Sequence, residues 1–395
     1  TNSPSKDNDG KNQTKPSSNN TSNKEITSAI HTVNTYLTKN QVNEWDRIVA
    51  LKASDNKIPN NVIDETLNNV VGKKGVFRKV TDLEKNILVL SAAGYDASNV
   101  SGINLINLLT NHDRLETQGN NGPAYALLAL DSKNYQIAAN AKWNRANLVD
   151  YVLNVQLDNG AWSLYGDTPS TDVTGIAMAA LSPYREQTDV QAAIDKAVAW
   201  LSSNQYKTGG FSEEFNGGES SESIAQVIIG LTAVGVDPAG AQFTKSDTNL
   251  IKRLLDFQNK DGGFSHLITD NESSPISSSQ AFLALTAYQN YLHNGSKATS
   301  VFQFANSQNN TVTNKDKQQS VNTKQTGSNT QIGTGTQSKT KDTNATTERT
   351  TNQKNKALPN TATNHYQLLY YGILLIVIAG GILFYQRKKL FHKKG

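Results

Sequence analysis

The chain has 395 residues, no cysteine and a formal net charge of +4. Without thiols it can hold no thiolate-bound zinc, no disulfide and no internal thioester made from Cys and Gln. The charge is unevenly divided: residues 1–23 carry +1, 305–357 carry +5 and 386–395 carry +5, which leaves −7 on residues 24–304. The part able to fold therefore lacks the basic face that nucleic-acid binding requires.

Residues 1–23 are rich in Asn, Ser, Thr and Lys and contain no aromatic side chain. They bury too little apolar surface to offset the entropy of ordering, so a disordered tail is expected. The first residue is Thr1, with no Met and no apolar leader. Together with the apolar run and basic tail at the other end of the chain, this predicts that a signal peptide has been removed.

From residue 24 onward, apolar spacing predicts helices over 25–39, 44–54, 62–71, 82–93, 103–110 and 123–130. Six more follow over 147–156, 172–181, 189–205, 222–234, 248–258 and 278–291. The pattern is clearest in the ninth, where Val190, Ile194, Ala197, Val198 and Leu201 recur at helical spacing. No extended run rich in β-branched residues interrupts them. Twelve helices in six hairpins fit an all-α fold, a closed α6/α6 toroid of alternating inner and outer helices.

Between these helices one motif is written three times, about fifty residues apart, the sign of a repeat architecture. Its copies are Gln156–Gly160–Ala161–Trp162–Ser163, Gln205–Gly209–Gly210–Phe211–Ser212 and Gln258–Gly262–Gly263–Phe264–Ser265. The glycine permits a tight turn after an outer helix. The aromatic ring is expected to wedge between neighbouring hairpins, the glutamine to bond toward the next repeat, and the serine to satisfy backbone amides.

Residues 305–357 repeat the polar composition of the N-terminal tail and predict a disordered stalk. Leu358-Pro359-Asn360-Thr361-Ala362 then precedes an apolar run over 368–385 and a basic tail containing Arg387, Lys388, Lys389, Lys393 and Lys394. The run is about 27 Å long as a helix, enough to span a bilayer core, with the basic residues on the cytoplasmic side.

Two resemblances follow. The C-terminal order resembles the cell-wall sorting signal of Gram-positive surface proteins. That resemblance implies passage through the membrane, cleavage by a sortase after Thr361 and covalent attachment to peptidoglycan at the cell surface. Ala362 stands where the usual motif has Gly. The repeats resemble those of the prenyltransferase, squalene-cyclase and terpene-cyclase superfamily of α/α toroids, over most of residues 24–304. The resemblance is nearest to a bacterial surface-protein branch similar to the helical domain of the transcobalamin and intrinsic-factor cobalamin carriers. It is carried by Trp45-Asp46-Arg47-Ile48-Val49-Ala50-Leu51, Thr81-Asp82-Leu83-Glu84-Lys85, Gly102-Ile103-Asn104-Leu105 and Gln118-Gly119-Asn120-Asn121-Gly122, with Glu222-Ser223-Ile224-Ala225-Gln226-Val227 and Ser279-Gln280-Ala281-Phe282.

The superfamily's enzymes imply residues that can be looked for. Protonation-initiated cyclases carry Asp-x-Asp-Asp at an inner-helix start; here Ser170-Thr171-Asp172-Val173 offers a single carboxylate, and the inner faces offer Ile176, Met178, Val227, Ile228 and Phe282 where cyclases have aromatic rings. Zinc-dependent prenyltransferases use a Cys ligand that this chain lacks. The expectation is therefore no catalysis and no resident metal.

A polar ring remains at the inner-helix starts: Trp45, Asp46, Asp82, Glu84, Asn120, Asp172, Thr174, Glu222, Gln226, Ser279 and Gln280. Of these, Trp45, Asp82, Asp172, Glu222, Gln226, Ser279 and Gln280 are the candidate ligand-binding residues. Helix N-termini favour acceptors, so helix capping is the structural alternative for Asp172, Glu222 and Ser279. Interhelical bonding is the alternative for Gln226 and Gln280. His266 reads as a solvated loop residue or, with lower weight, a cobalt ligand or acid–base group, and Glu213-Glu214 as a solvated face. The expected function is a wall-anchored binding domain for a small ligand, with a corrinoid as the guess by resemblance and no cofactor assigned. An adhesin for glycan or host protein is the alternative. A carbohydrate-active enzyme using Asp172 and Glu222 is the third reading.

Overall fold

A computed structural model describes residues 22–213, 216–304 and 310–312. The sorting motif, the apolar run 368–385 and the polar tails, apart from residues 22–23 and 310–312, lie outside the described residues. No helix among the described residues is long and apolar enough to cross a membrane.

Twelve α-helices are present among the described residues, one at each expected place. They are α1 (Asn23–Lys39), α2 (Trp45–Ala53), α3 (Asn60–Gly72), α4 (Val80–Ala92), α5 (Leu105–Thr110) and α6 (Asn121–Asp131), then α7 (Arg145–Asn154), α8 (Thr171–Leu181), α9 (Thr188–Asn204), α10 (Ser221–Val234), α11 (Leu250–Leu255) and α12 (Pro275–His293). Two depart clearly from the expected bounds. A hairpin of Thr244–Lys245 with Thr248–Asn249 takes up the start of the eleventh segment, and Asn249 caps what remains. The twelfth starts earlier because Ser274 caps it and Pro275 suits a first helical position.

Composition sorts the helices into two layers. Almost every residue of α6, α8 and α10 is buried, as expected of helices apolar on nearly all faces, and in α12 burial is confined mainly to the stretch from Ser277 to Tyr288. α1 and α9 bury one stripe only, in α9 Val190, Ala193, Ile194, Ala197, Val198 and Leu201. Packing follows the same division: α2 meets α4, α4 meets α6, α6 meets α8, α8 meets α10, α10 meets α12, and α12 meets α2. The odd helices cover this series, α1 against α12, α3 and α5 against α4, α7 against α6, α9 against α8 and α11 against α10. α8 and α10 approach most closely, through Gly175 and Gly230; a Cβ on Gly230 would lie 2.6 Å from the Gly175 carbonyl oxygen.

The three repeat turns share one geometry. Gly160, Gly209 and Gly262 adopt φ of +93°, +94° and +91°, a region that favours glycine. In each, the glycine N–H donates to a carbonyl three residues back: to Leu157, Tyr206 and Asn259 at 2.8, 2.9 and 2.9 Å. Each glutamine amide donates twice, once into its own turn and once onward. Gln156 reaches Gly160 O and Ala193 O of α9, and Gln205 reaches Gly209 O and Phe243 O. Gln258 reaches Gly262 O and Ala29 O of α1, tying the last repeat to the first helix. Trp162, Phe211 and Phe264 are fully buried. The serines do not accept from amides as expected. Ser163, Ser212 and Ser265 donate to the carbonyls of Gly166, Glu213 and Phe257, because Ser170, Ser220 and Ser274 already cap the following helices.

Beyond α12 the chain folds back across the C-terminal ends of the even helices. Thr299 N–H donates to Thr232 O and Phe304 N–H to Ser132 O. Val301, Phe302 and Phe304 are buried there.

Candidate functional site

The N-terminal halves of α2, α4, α6 and α8 bring Trp45, Asp46, Glu84, Lys85, Tyr125 and Asp172 together. Trp45 opens α2 and meets Tyr125 of α6 edge to face, with ring centroids 5.6 Å apart, and stacks on Phe302 at 6.2 Å. Lys85 of α4 places its Nζ 5.3 Å from the Trp45 ring and 5.8 Å from the Tyr125 ring. The sequence reading found no aromatic lining; these three rings supply one. Tyr125 and Phe302 were missed because one lies in the apolar stretch 122–130 of α6 and the other beyond the last helix.

Asp46 and Glu84 are 3% and 0% exposed, and Asp46 Oδ1 and both Glu84 oxygens have no hydrogen-bond partner among the described residues. Burial pushes the Asp46 carboxyl up to about 7; Lys85 opposes the shift and Glu44 adds to it. Burial likewise holds Glu84 well above the usual carboxylate range, against the pull of Lys85. The Tyr125 phenol is raised by burial first, then by the charges of Asp46, Glu84 and Asp172. One phenol thus feels three carboxyl groups from three helices.

Asp172 is not the lone acid that the sequence suggested. Glu213, from a loop 41 positions away, accepts from Asp172 N–H at 3.0 Å, Thr171 Oγ1 at 2.6 Å and Ser170 Oγ at 3.0 Å, and so closes the N-terminus of α8. Glu213 is buried, which corrects its assignment to a solvated face. Asp172 keeps part of its surface open, yet protein surrounds its carboxyl. Burial, then the Glu213 charge, then that of Glu222 push it up to about 7, while hydrogen bonds from Ser223 and Thr171 work against them. Capping is not the task of Asp172, Glu222 or Ser279. Ser170, Ser220 and Ser274 cap α8, α10 and α12, and Ser279 Oγ donates back to Pro275 O.

Glu222 faces a second group. Its Oε2 lies 2.8 Å from His266 Nδ1, and its Oε1 accepts from the buried Ser277 hydroxyl. His266 is thus paired and not simply solvated. Gln226 Nε2 donates to Gln280 Oε1 at 3.1 Å, which joins α10 to α12. Thr174 and Asn120 serve the turn of the first repeat: Thr174 Oγ1 accepts from Trp162 N–H, and Asn120 Nδ2 donates to Ser163 O. Asp82 is half-buried on α4 and shares no hydrogen bond with the site residues. No cluster of three or more His, Asp or Glu suited to a metal occurs among the described residues.

No family model matches the chain, and no curated protein does. Solved structures do. The type II terpene cyclase MstE from Scytonema, in its apo form, is 12% identical over 67% of this chain and 97% of its own, with a TM-score of 0.48. The same enzyme in complex with geranylgeranyl dihydroxybenzoate is 13% identical at 0.48 over the same shares. The ent-copalyl diphosphate synthase from Streptomyces platensis is 18% identical over 63% of this chain and 50% of its own, with a TM-score of 0.41. The neighbours are helical proteins of terpene-cyclase type, and they are enzymes. The expectation of a non-catalytic domain is accordingly withdrawn. At these identities and TM-scores the likeness assigns no activity or substrate to this chain.

Proposed function

We propose that residues 24–304 form a closed α6/α6 toroid displayed on the outer surface of a Gram-positive cell, and that its interior binds a small organic ligand. The observation that carries this reading is the pair of buried acids Asp46 and Glu84, three of whose oxygens have no partner among the described residues, flanking in the chain the Trp45 and Lys85 that meet at Tyr125. A fold gains nothing from unpartnered buried carboxyls, whereas a ligand with complementary polar atoms would satisfy them. Trp45, Lys85, Asp172 and Gln280 are each half-buried, so the group is reachable from solvent. The cyclic packing from α2 round to α2, and the Gln258 link to α1, support closure of the ring.

The same acids suit proton transfer. Asp46 and Asp172, with carboxyl pKa values near 7, can donate a proton at neutral pH, as a general acid must. Turnover is therefore measured together with binding. The purified chain is incubated with cobalamin and cobinamide, desalted, read by visible spectrum and calorimetry, and the ligand is then examined by mass spectrometry for chemical change. Retained colour that is lost in Trp45→Ala places a corrinoid in this site. Colourless protein and no heat dispose of the corrinoid. A changed ligand mass that disappears in Asp172→Asn establishes catalysis.

Surface display is proposed on the order of Leu358, Pro359, Thr361, Ala362, apolar run and basic tail. Sortase and peptidoglycan are the partners this implies. Thr361→Ala is expected to move the protein from the wall fraction to the membrane fraction; an unchanged distribution removes the proposal.

A further inference from the structure

We infer that the interior site takes the primary ammonium head of an organic amine, and that Lys85 now occupies the place of that head as a built-in competitor. The inference rests on the ligand-binding reading above and names the chemical class that such a ligand would present.

Four observations converge. The Trp45 and Tyr125 rings stand nearly perpendicular, at 84°, and Phe302 stacks on Trp45, so aromatic faces and edges line one place. An ammonium already lies against them, since Lys85 Nζ is within 5.3 and 5.8 Å of the two ring centroids. Electron-rich ring faces attract a cation, and do so more strongly once it is desolvated. Asp46 follows Trp45 in the chain and Glu84 precedes Lys85, and three of their buried carboxylate oxygens, Asp46 Oδ1, Glu84 Oε1 and Glu84 Oε2, have no partner among the described residues.

Donor chemistry sharpens the class. A primary ammonium has three N–H donors, the number of acceptors left open, whereas a quaternary ammonium has none. Lys85 feels Asp46 and Glu84 electrostatically, yet no hydrogen bond joins it to either carboxylate among the described residues. Its ammonium sits against the rings and leaves the acids unserved. Its long stem lets it swing aside, since a half-buried lysine can carry its charge to water while the methylenes stay packed. An incoming amine would then meet both the rings and the acids.

The test titrates the full-length chain with butylammonium, tetramethylammonium and the uncharged 1-butanol, followed by ligand-observed NMR. Butylammonium is expected to bind about tenfold more tightly than 1-butanol, with tetramethylammonium between them. Lys85→Met, which removes the competitor and keeps the stem, should tighten butylammonium about fivefold, a gain that a misfolded variant cannot give. Asp46→Asn should weaken butylammonium about tenfold and leave 1-butanol unchanged. Equal binding of butylammonium and 1-butanol, or no gain in Lys85→Met, overturns the inference. If a corrinoid or another small molecule binds and is lost in Trp45→Ala while butylammonium does not bind, the ammonium is wrong and the interior site stands. If no small molecule responds to Trp45→Ala, both readings fall.

Discussion

The repeat turns and the interior site treat polar groups in opposite ways. In the turns the key donors are satisfied: each glutamine amide makes two bonds, each glycine N–H makes one, and the Trp162 indole donates to Val152 O at 2.7 Å, while the Gln205 Oε1 acceptor is the exception, buried with no partner among the described residues. At the candidate site, three carboxylate oxygens are buried with no partner among the described residues and Lys85 rests on aromatic rings. Periodic and satisfied polar groups hold a scaffold together, whereas buried and unsatisfied ones cost it stability. The contrast separates the groups that hold the scaffold together from those of the candidate site.

Substitutions should therefore move stability in opposite directions in the two regions. The largest expected effect is in a turn. Trp162→Ala removes a fully buried ring and an indole bond, and should cost about 3–5 kcal/mol in a denaturant titration. A loss well under this would mean that the rings are not staples.

The next effect is in the interior and depends on pH. Asp46 moves from 3.8 in the unfolded chain to about 7 in the folded one, so the folded state binds more protons between those values. Stability should fall as pH rises from about 4 to about 7, by up to about 4 kcal/mol from this group, and level off above. Asp172 contributes in the same direction. Asp46→Asn should remove its share, so that the variant melts progressively above the parent as pH climbs through that window. Parallel melting curves from pH 4 to 8 would refute the shift.

Glu84→Met, measured at neutral pH, should raise stability by about 1–2 kcal/mol, because it removes an unpartnered buried carboxyl and keeps the volume. Butylammonium binding should weaken in the same variant. Stabilisation without loss of binding would mean that Glu84 takes no part in the site. The smallest effect is expected of Gln258→Leu, about 1 kcal/mol, since its bond to Ala29 O is long at 3.4 Å. If the loss exceeds that from Gln205→Leu, whose onward bond is 2.9 Å and buried, the link to α1 matters more to closure than its length suggests.

Much of the scaffold was legible in the sequence because it is written locally. The apolar stripe from Val190 to Leu201 has one helical solution, and the glycines at 160, 209 and 262 mark positions where φ is positive in the structure. The site was legible only in part. Trp45, Asp172 and Glu222 stood out as polar or aromatic residues at helix starts. Asp82 and Ser279 stood out in the same way, yet Asp82 shares no hydrogen bond with the site and Ser279 bonds only its own helix. Which carboxyl meets which partner depends on the rotation of one helix against another, and spacing along the chain does not carry that information.

By itself the sequence determined the helices and the repeat that joins them, since each follows from residues within a turn or two of one another. Tertiary structure alone decided that Glu213 closes α8 beside Asp172, that His266 pairs with Glu222, and that Tyr125 and Phe302 meet Trp45. These pairs bridge 41, 44, 80 and 257 positions along the chain. Burial and charge act through space, so the chemistry of Asp46, Glu84 and Asp172 arises only when separate helices bring them around one phenol.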